Sequence, residues 1–210
     1  MFKDRKDAGQ QLAKHLLKYN AEDPVVLAIP RGGVEIGRQV ADTLDAELSI
    51  IVSRKLPFPD NPESGFGAIA EDDSTYLSRR FVYGLPEQQI ERIMEEQRRV
   101  IQERIATLRH NQPLPPLQHR CVILVDDGIA MGSTMKASIR LVKKQKPRKL
   151  IVAAPVSSAH VAQDLEQIVD AVIIVEKPLN FRAVAQVYEN WYDVSDAEAI
   201  YILHESMNSS

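Results

Sequence analysis

The sequence predicts an α/β fold in which a mostly parallel central sheet carries helices on both faces. Short apolar runs alternate with helical patterns in the second half, as strand 121–125, helix 133–146, strand 150–154, helix 159–168 and strand 171–175. In the first half, strands 25–29 and 48–52 flank a helix that runs to about residue 44. Strands that alternate with helices are typical of βαβ units, and about five strands is an ordinary sheet size.

Composition narrows the class of protein. The chain has 210 residues, of which 44% are hydrophobic and 26% charged, and these values predict one ordinary globular domain over residues 1–210. Its net charge of −3 gives no general attraction to nucleic acid or to anionic membranes. Apolar runs fall short of the roughly 18 residues that a membrane span requires, and the first residues do not resemble a secretory signal. Cys121 is the only cysteine, so an intramolecular disulfide is excluded. We therefore expect a cytoplasmic protein.

Helical spacing of apolar residues predicts two further helices, over 4–19 and 87–109. The long helix 87–109 is expected to pack on the core by one face, with a dimer contact, and hence a homo-oligomer, as the open alternative. A C-terminal helix is expected to begin at Ser195 or Asp196.

A proline-rich stretch interrupts the pattern. Residues 56–65 are predicted to form a loop, because Pro57, Pro59 and Pro62 oppose a regular ladder. Residues 66–77 are expected to form a small hairpin at the edge. We expect 56–77 and 178–210 together to form a small hood over the sheet.

The strongest chemical signal follows the strand 121–125. In open α/β sheets, ligands bind at the carboxyl ends of the strands. Two adjacent carboxylates stand there, and a loop of small residues then opens a helix, with free N–H groups that suit a phosphate. Carboxylates would repel the phosphate itself, so they fit either sugar hydroxyls or a metal ion. The pattern predicts a sugar-phosphate site, formed by Asp126, Asp127, Gly128, Gly132, Ser133 and Thr134.

Two other strand ends carry positive charge. Arg31, Gly32 and Gly33 follow the strand 25–29, where two glycines let the backbone approach a ligand and an arginine can grip phosphate oxygens. Arg54 and Lys55 follow the strand 48–52 and could neutralise a diphosphate. Arg54 is the secondary candidate, because adjacent strand residues point to opposite faces. A plain turn and solvated surface charges are the alternative interpretations.

The segment 122–134 resembles the phosphoribosyl-diphosphate (PRPP) signature of the type I phosphoribosyltransferases, and Pro30–Gly33 resembles their diphosphate loop. The chain is most similar to a functionally undefined bacterial subgroup of that superfamily. The subgroup's motifs appear here as Pro30-Arg31-Gly32-Gly33, Arg54-Lys55-Leu56, Gly67-Ala68-Ile69-Ala70-Glu71 and Asp126-Asp127-Gly128-Ile129-Ala130. The resemblance implies a type I phosphoribosyltransferase-like fold.

The resemblance also implies an activity, namely transfer of phosphoribose from PRPP–Mg²⁺ to a nitrogen of a nucleobase-like small molecule, with release of diphosphate. Mg²⁺ would be the cofactor, held mainly through PRPP. The implied catalytic residues are Arg31, Lys55, Asp126 and Asp127. Residues implied at the diphosphate are Arg31, Gly32, Gly33, Arg54 and Lys55. Residues implied at the ribose and the 5′-phosphate are Asp126, Asp127, Gly128, Ile129, Ala130, Met131, Gly132, Ser133 and Thr134.

Two residues depart from the superfamily pattern. Met131 lacks the hydroxyl that many members place before the signature glycine, and Ala130 cannot accept a proton from an acceptor base. These departures keep a second hypothesis open, a regulator that senses PRPP or a nucleotide without turnover. A phosphosugar hydrolase and a receiver-type phosphorelay domain are weaker alternatives.

Overall fold

The computed structural model describes residues 1–205. The strands are β1 (Pro24–Ala28), β2 (Glu47–Ile50), β3 (Ser53–Phe58), β4 (Asn61–Ala70), β5 (Thr75–Leu77), β6 (Cys121–Val125), β7 (Lys149–Val156) and β8 (Ala171–Glu176). The α-helices are α1 (Arg5–Leu16), α2 (Gly32–Leu44), α3 (Arg79–Val82), α4 (Glu87–Arg109), α5 (Ser133–Lys144), α6 (Ala159–Glu166) and α7 (Asp196–Glu205). Two short 3₁₀ helices cover Leu17–Glu22 and Val184–Val187.

The central sheet has five strands in the order β2-β1-β6-β7-β8, and every neighbouring pair is parallel. Alternate residues of a strand face opposite sides of the sheet. Val26 of β1 packs in one cluster with Leu12 of α1 and Ile36 of α2. Val25 packs in another cluster with Leu141 of α5 and Leu165 of α6. The expected α/β architecture, with helices on both faces of a parallel sheet, is confirmed.

A second sheet contains β3, β4 and β5 in antiparallel order. The prediction of a loop over 56–65 is therefore wrong, because these residues form most of the β3–β4 hairpin. Pro57 is tolerated because β3 is an edge strand, and its pairing with β4 is shifted on both sides of this residue. Pro62 lies in the outer part of β4, whereas β5 pairs only with Gly67–Ile69. The prolines thus occupy positions where no ladder donor is required.

Helix α4 packs against this second sheet and spans the predicted residues 87–109. Its Ile93 and Ile101 share a core cluster with Leu56 and Phe66 of the hairpin and with Ala199 of α7. The antiparallel sheet therefore lies between α5 and α4, and α7 packs against α4 and α2.

Helix α7 begins with a capping box. The Ser195 hydroxyl accepts a hydrogen bond from the Glu198 N–H at 3.2 Å, and the Glu198 carboxylate accepts one from the Ser195 N–H at 2.8 Å. Of the two residues proposed from the sequence, Ser195 is the cap. Residues 206–210 of the expected hood lie outside the described residues. Across residues 1–205, no helix combines the length and apolarity needed to cross a membrane.

Candidate active site

A cavity of 380 Å³ opens at the carboxyl end of β6. One wall is the β6–α5 loop with the first turn of α5, the opposite wall is the β3–β4 hairpin, and the C-terminal segment adds one arginine. The lining residues are Lys55, Gly65, Gly67, Asp126, residues 128–135 and Arg182. The β6–α5 loop and Lys55, both predicted from the sequence as site residues, therefore line the same cavity.

The β6–α5 loop presents its backbone to this cavity. The Ile129 N–H is occupied by the Val156 carbonyl at 2.9 Å, and Gly132 takes a left-handed φ of 73° before α5 begins. Within residues 1–205, the amides of residues 130–134 donate no hydrogen bond to the protein. Free amides at a helix start attract an anion through their N–H groups and the helix dipole. The loop can therefore hold a phosphate.

Asp126 lines the cavity, directly after β6. Its Oδ1 accepts a hydrogen bond from the Asp127 N–H at 2.9 Å. Burial raises the pKa of Asp126 well above its usual range, and the neighbouring charge of Asp127 raises it further. A carboxyl group in this position can hydrogen-bond sugar hydroxyls in either protonation state.

Asp127 does not appear in the cavity lining, because its carboxylate turns toward Arg5 of α1. The Arg5 Nε donates to Asp127 Oδ2 at 2.8 Å, and the Arg5 side chain is only 3% exposed. Burial raises the pKa of Asp127, and the Arg5 guanidinium opposes that rise. The Tyr188 hydroxyl also donates to the Asp127 carbonyl at 2.6 Å. Both the side chain and the backbone of Asp127 are thus held by protein partners.

Sequence reasoning missed Arg5, although a signal was present. Arg5, Ala8 and Leu12 share the helical spacing that places residues on one face, and all three are buried. A charged residue on the apolar face of a helix requires a buried partner, and here that partner is Asp127. Arg182 and Gly65 were missed as well, since neither carries a local motif.

The predicted diphosphate loop lies beside Asp127. The Pro30–Arg31 peptide is cis. A Cβ placed on Gly32 would stand 1.8 Å from Asp127 Oδ2, and one on Gly33 would stand 3.0 Å from the Val125 carbonyl oxygen. Close approach of this turn to β6 therefore requires a glycine at position 32 and leaves little room for a side chain at position 33.

The side chain of Arg31 does not line the cavity. Its Nη1 lies 3.5 Å from Oδ1 of Asp196 at the start of α7. Arg54 also turns away, and its Nε donates to Gln97 Oε1 of α4 at 3.2 Å. Burial lowers the pKa of Arg54, and the charge of Arg31 lowers it further. These two predicted diphosphate ligands form a positive region beside α4 and α7.

Lys55, by contrast, faces the cavity. Its neighbour Arg54 points to the opposite face of β3, as strand geometry requires. A Cβ on Gly65 would lie 2.6 Å from Lys55 Cγ, so the lysine stem runs across a glycine of the facing strand. The hairpin therefore delivers one cation to the phosphate loop.

The two departures from the superfamily pattern are both part of the cavity wall. Ala130 is exposed, and Met131 is 53% exposed. A flexible thioether therefore stands where the superfamily pattern has a hydroxyl.

The described residues offer little for metal binding by side chains or for a nucleophilic thiol. Among residues 1–205, no group of three or more His, Cys, Asp or Glu side chains could hold a metal ion. Burial raises the pKa of the Cys121 thiol to about 11, so it is inert as a nucleophile at neutral pH.

The family follows from comparison with known proteins. The model of the phosphoribosyl transferase domain matches residues 2–189, and the chain belongs to this family. One relative is a Mycobacterium tuberculosis H37Rv protein that is provisionally named a phosphoribosyl transferase. The two sequences are 36% identical over 205 residues, which cover 97% of this chain and 46% of that protein. The chain thus spans about half the length of the curated relatives it matches.

Solved structures agree on the fold. The TT1426 protein of Thermus thermophilus is 35% identical with a TM-score of 0.82, over 98% of both chains. A hypoxanthine phosphoribosyltransferase of Staphylococcus aureus is 13% identical with a TM-score of 0.50, over 84% of this chain and 74% of its own. The expected type I phosphoribosyltransferase-like fold is therefore confirmed.

Proposed function

We propose that this chain is a phosphoribosyltransferase that transfers phosphoribose from PRPP–Mg²⁺ to a nitrogen of a nucleobase-like small molecule and releases diphosphate. The observation that carries the proposal is the single cavity shared by the free amides of 130–134, Asp126 and Lys55. PRPP contains a phosphate, a ribose and a diphosphate, and this cavity offers a group of matching chemistry for each.

Residues 128–134 would form the 5′-phosphate site, in which the free amides of 130–134 and the hydroxyls of Ser133 and Thr134 would bind the phosphate. Asp126 would bind the ribose hydroxyls from the cavity wall, and Asp127, whose Oδ2 is held by Arg5, would complete that contact through its other carboxylate oxygen. Lys55 would bind the diphosphate, whose negative charge grows as the bond to ribose C1 breaks. Arg31 and Arg54 would strengthen the positive potential on the diphosphate side.

Mg²⁺ fits this donor set as an ion carried on the substrate. Mg²⁺ keeps several waters and binds substrate phosphates together with few protein groups. The sparse carboxylates of the cavity agree with that mode, and Mg²⁺ would neutralise charge on the diphosphate.

We propose that residues 1–210 act as one such domain, with the segments 56–77 and 178–210 as the hood that selects the acceptor. Gly65, Gly67 and Arg182 support this role, because they reach the cavity from these two segments. Ala130 provides no proton acceptor, so an acceptor base would lose its proton to another group.

The test is calorimetric titration with PRPP–Mg²⁺, followed by an assay of diphosphate release over a panel of nucleobases. We expect binding by the wild type and a large loss of affinity in Asp126→Asn. Asp23→Asn is the matched control, because Asp23 is 92% exposed and precedes β1 at the opposite end of the sheet. Equal affinity in all three proteins would contradict the ribose role of Asp126.

Met131 favours one second candidate, a PRPP sensor without turnover, because its side chain replaces a hydroxyl in the phosphate loop. A sensor would bind PRPP and release no diphosphate with any acceptor. In that case Met131→Thr would strengthen PRPP binding without starting turnover.

A further inference from the structure

Arg5 is a buried cation whose contacts converge on the proposed ribose site. Its Nε lies 2.8 Å from Asp127 Oδ2, and its Nη1 lies 3.9 Å from a Glu35 oxygen of α2. A guanidinium that is 3% exposed is costly unless its donors are satisfied. An ion pair at the surface would not require a buried guanidinium, so the burial of Arg5 indicates a specific role for the Arg5–Asp127 contact.

The C-terminal segment 188–192 encloses the same guanidinium. Arg5 Nη1 donates to the Tyr192 carbonyl at 2.8 Å, and the Trp191 ring centre lies 4.0 Å from Arg5 Cζ. The Tyr188 ring lies 5.2 Å from the Trp191 ring, and the Tyr188 hydroxyl holds the Asp127 carbonyl. One short segment thus fixes both Arg5 and the backbone of Asp127.

Arg5 also makes the two adjacent carboxyls unequal. It donates to Oδ2 of Asp127 and is the cation nearest to that group, whereas Asp126 has no such direct partner among residues 1–205. The groups around Asp127 are Arg5, Asp126, Tyr188 and, through Arg5, Glu35 and Tyr192. Because Arg5 is the one cation in this set, it favours the ionised form of Asp127, and Asp126 is left as the carboxyl that more readily holds a proton.

We infer that Arg5 is a positioning residue for Asp127 in PRPP binding and that Trp191 and Tyr192 keep Arg5 in place. The inference rests on the proposed function, and it adds a residue of the first helix and a segment near the C-terminus to the site. Arg5 itself would touch no substrate. Its effect passes through the orientation and charge of Asp127.

The experiment compares Arg5→Gln and Arg5→Lys with Arg120→Gln. Arg120 is the matched control, since it pairs with Glu47 at 2.5 Å beside the opposite end of β6. We expect Arg5→Gln to weaken PRPP–Mg²⁺ binding about 10–100-fold, by analogy with the loss found when partners that orient metal ligands are removed. Arg5→Lys should recover part of that loss, because it keeps the charge and loses the planar fork. Arg120→Gln should bind as the wild type does.

A pH profile separates positioning from a general structural effect. Without Arg5 the pKa of Asp127 rises, so the pH at which PRPP affinity reaches half its maximum should move upward in Arg5→Gln and less in Arg5→Lys. A folded Arg5→Gln protein with wild-type affinity and an unmoved profile would overturn the inference.

If Arg5→Gln does not fold, Trp191→Leu decides, because this ring is 38% exposed and its removal leaves Arg5 present. Unchanged PRPP affinity in Trp191→Leu would then contradict the role of the segment. A wild type that fails to bind PRPP–Mg²⁺ would instead reject the proposed function. The Arg5–Asp127 coupling would then be judged without ligand, by NMR titration of the Asp127 carboxyl in wild type and Arg5→Lys, where equal midpoints count against it.

Discussion

Replacing Gly32 by alanine should disrupt the site from its backbone side. The new Cβ would lie 1.8 Å from Asp127 Oδ2, well inside the 3.4 Å of ordinary contact, so the carboxylate must move by about 1.6 Å. That movement separates Asp127 from Arg5. Breaking a buried ion pair costs roughly 3–5 kcal/mol, and we take about 3 kcal/mol because Arg5 retains its Tyr192 and Glu35 contacts. Gly32 is the first residue of α2, where the helix-interior preference for alanine over glycine does not apply, so the expected net loss stays at about 3 kcal/mol.

Urea titration measures this loss, and calorimetry measures PRPP–Mg²⁺ affinity. We expect affinity to fall about 10²-fold, since a misplacement of about 1 Å in a site has effects of that size. Gly37→Ala on the same helix is the control, because its Cβ would meet Ala28 Cβ at 2.9 Å, away from the carboxylates. It should lose stability through packing and keep PRPP affinity. A Gly32→Ala protein with wild-type stability and affinity would contradict the expected displacement of Asp127.

Three further outcomes are expected. Lys55→Met should lower the rate of diphosphate release more than it weakens binding of a nucleoside 5′-monophosphate, because diphosphate charge develops in the transition state; equal effects in steady-state kinetics and calorimetry would count against this. Asp126→Asn should be more stable than the wild type at pH 7. In the wild type, the pKa of Asp126 is raised in the folded state, so the contribution of its protonated form to stability is complete below the unfolded pKa and is lost as the pH rises through the folded pKa. Asparagine does not ionise, so the variant avoids this loss. Urea titrations from pH 4 to pH 8 (about one pH unit apart) should show the gain growing with pH, and a constant difference would be inconsistent with the raised pKa. Cys121 should resist iodoacetamide at pH 8 in the folded protein, because its thiol pKa is about 11; mass spectrometry showing rapid alkylation would contradict that burial.

Local sequence patterns were enough to predict the alternation of strands and helices along the chain and the place of the β6–α5 loop at the end of a central strand. These features are local, because they depend on hydrophobic period, on small residues after a strand and on caps such as Ser195. Asp126 was found in the same way, since a carboxylate directly after a buried strand must lie at the carboxyl edge of the sheet.

Which of the candidate residues share the cavity depends on how the helices and strands pack. Lys55 reaches the cavity because residues 53–70 form a hairpin. The prolines of this segment suggested a loop, but they are tolerated in an edge strand and at an outer strand end. Arg31 turns to Asp196, which lies far along the chain on α7. The partner of Asp127 is 122 residues away in sequence. Such contacts are made when separate helices and strands pack together, and no local spacing in the sequence records which side chains then meet.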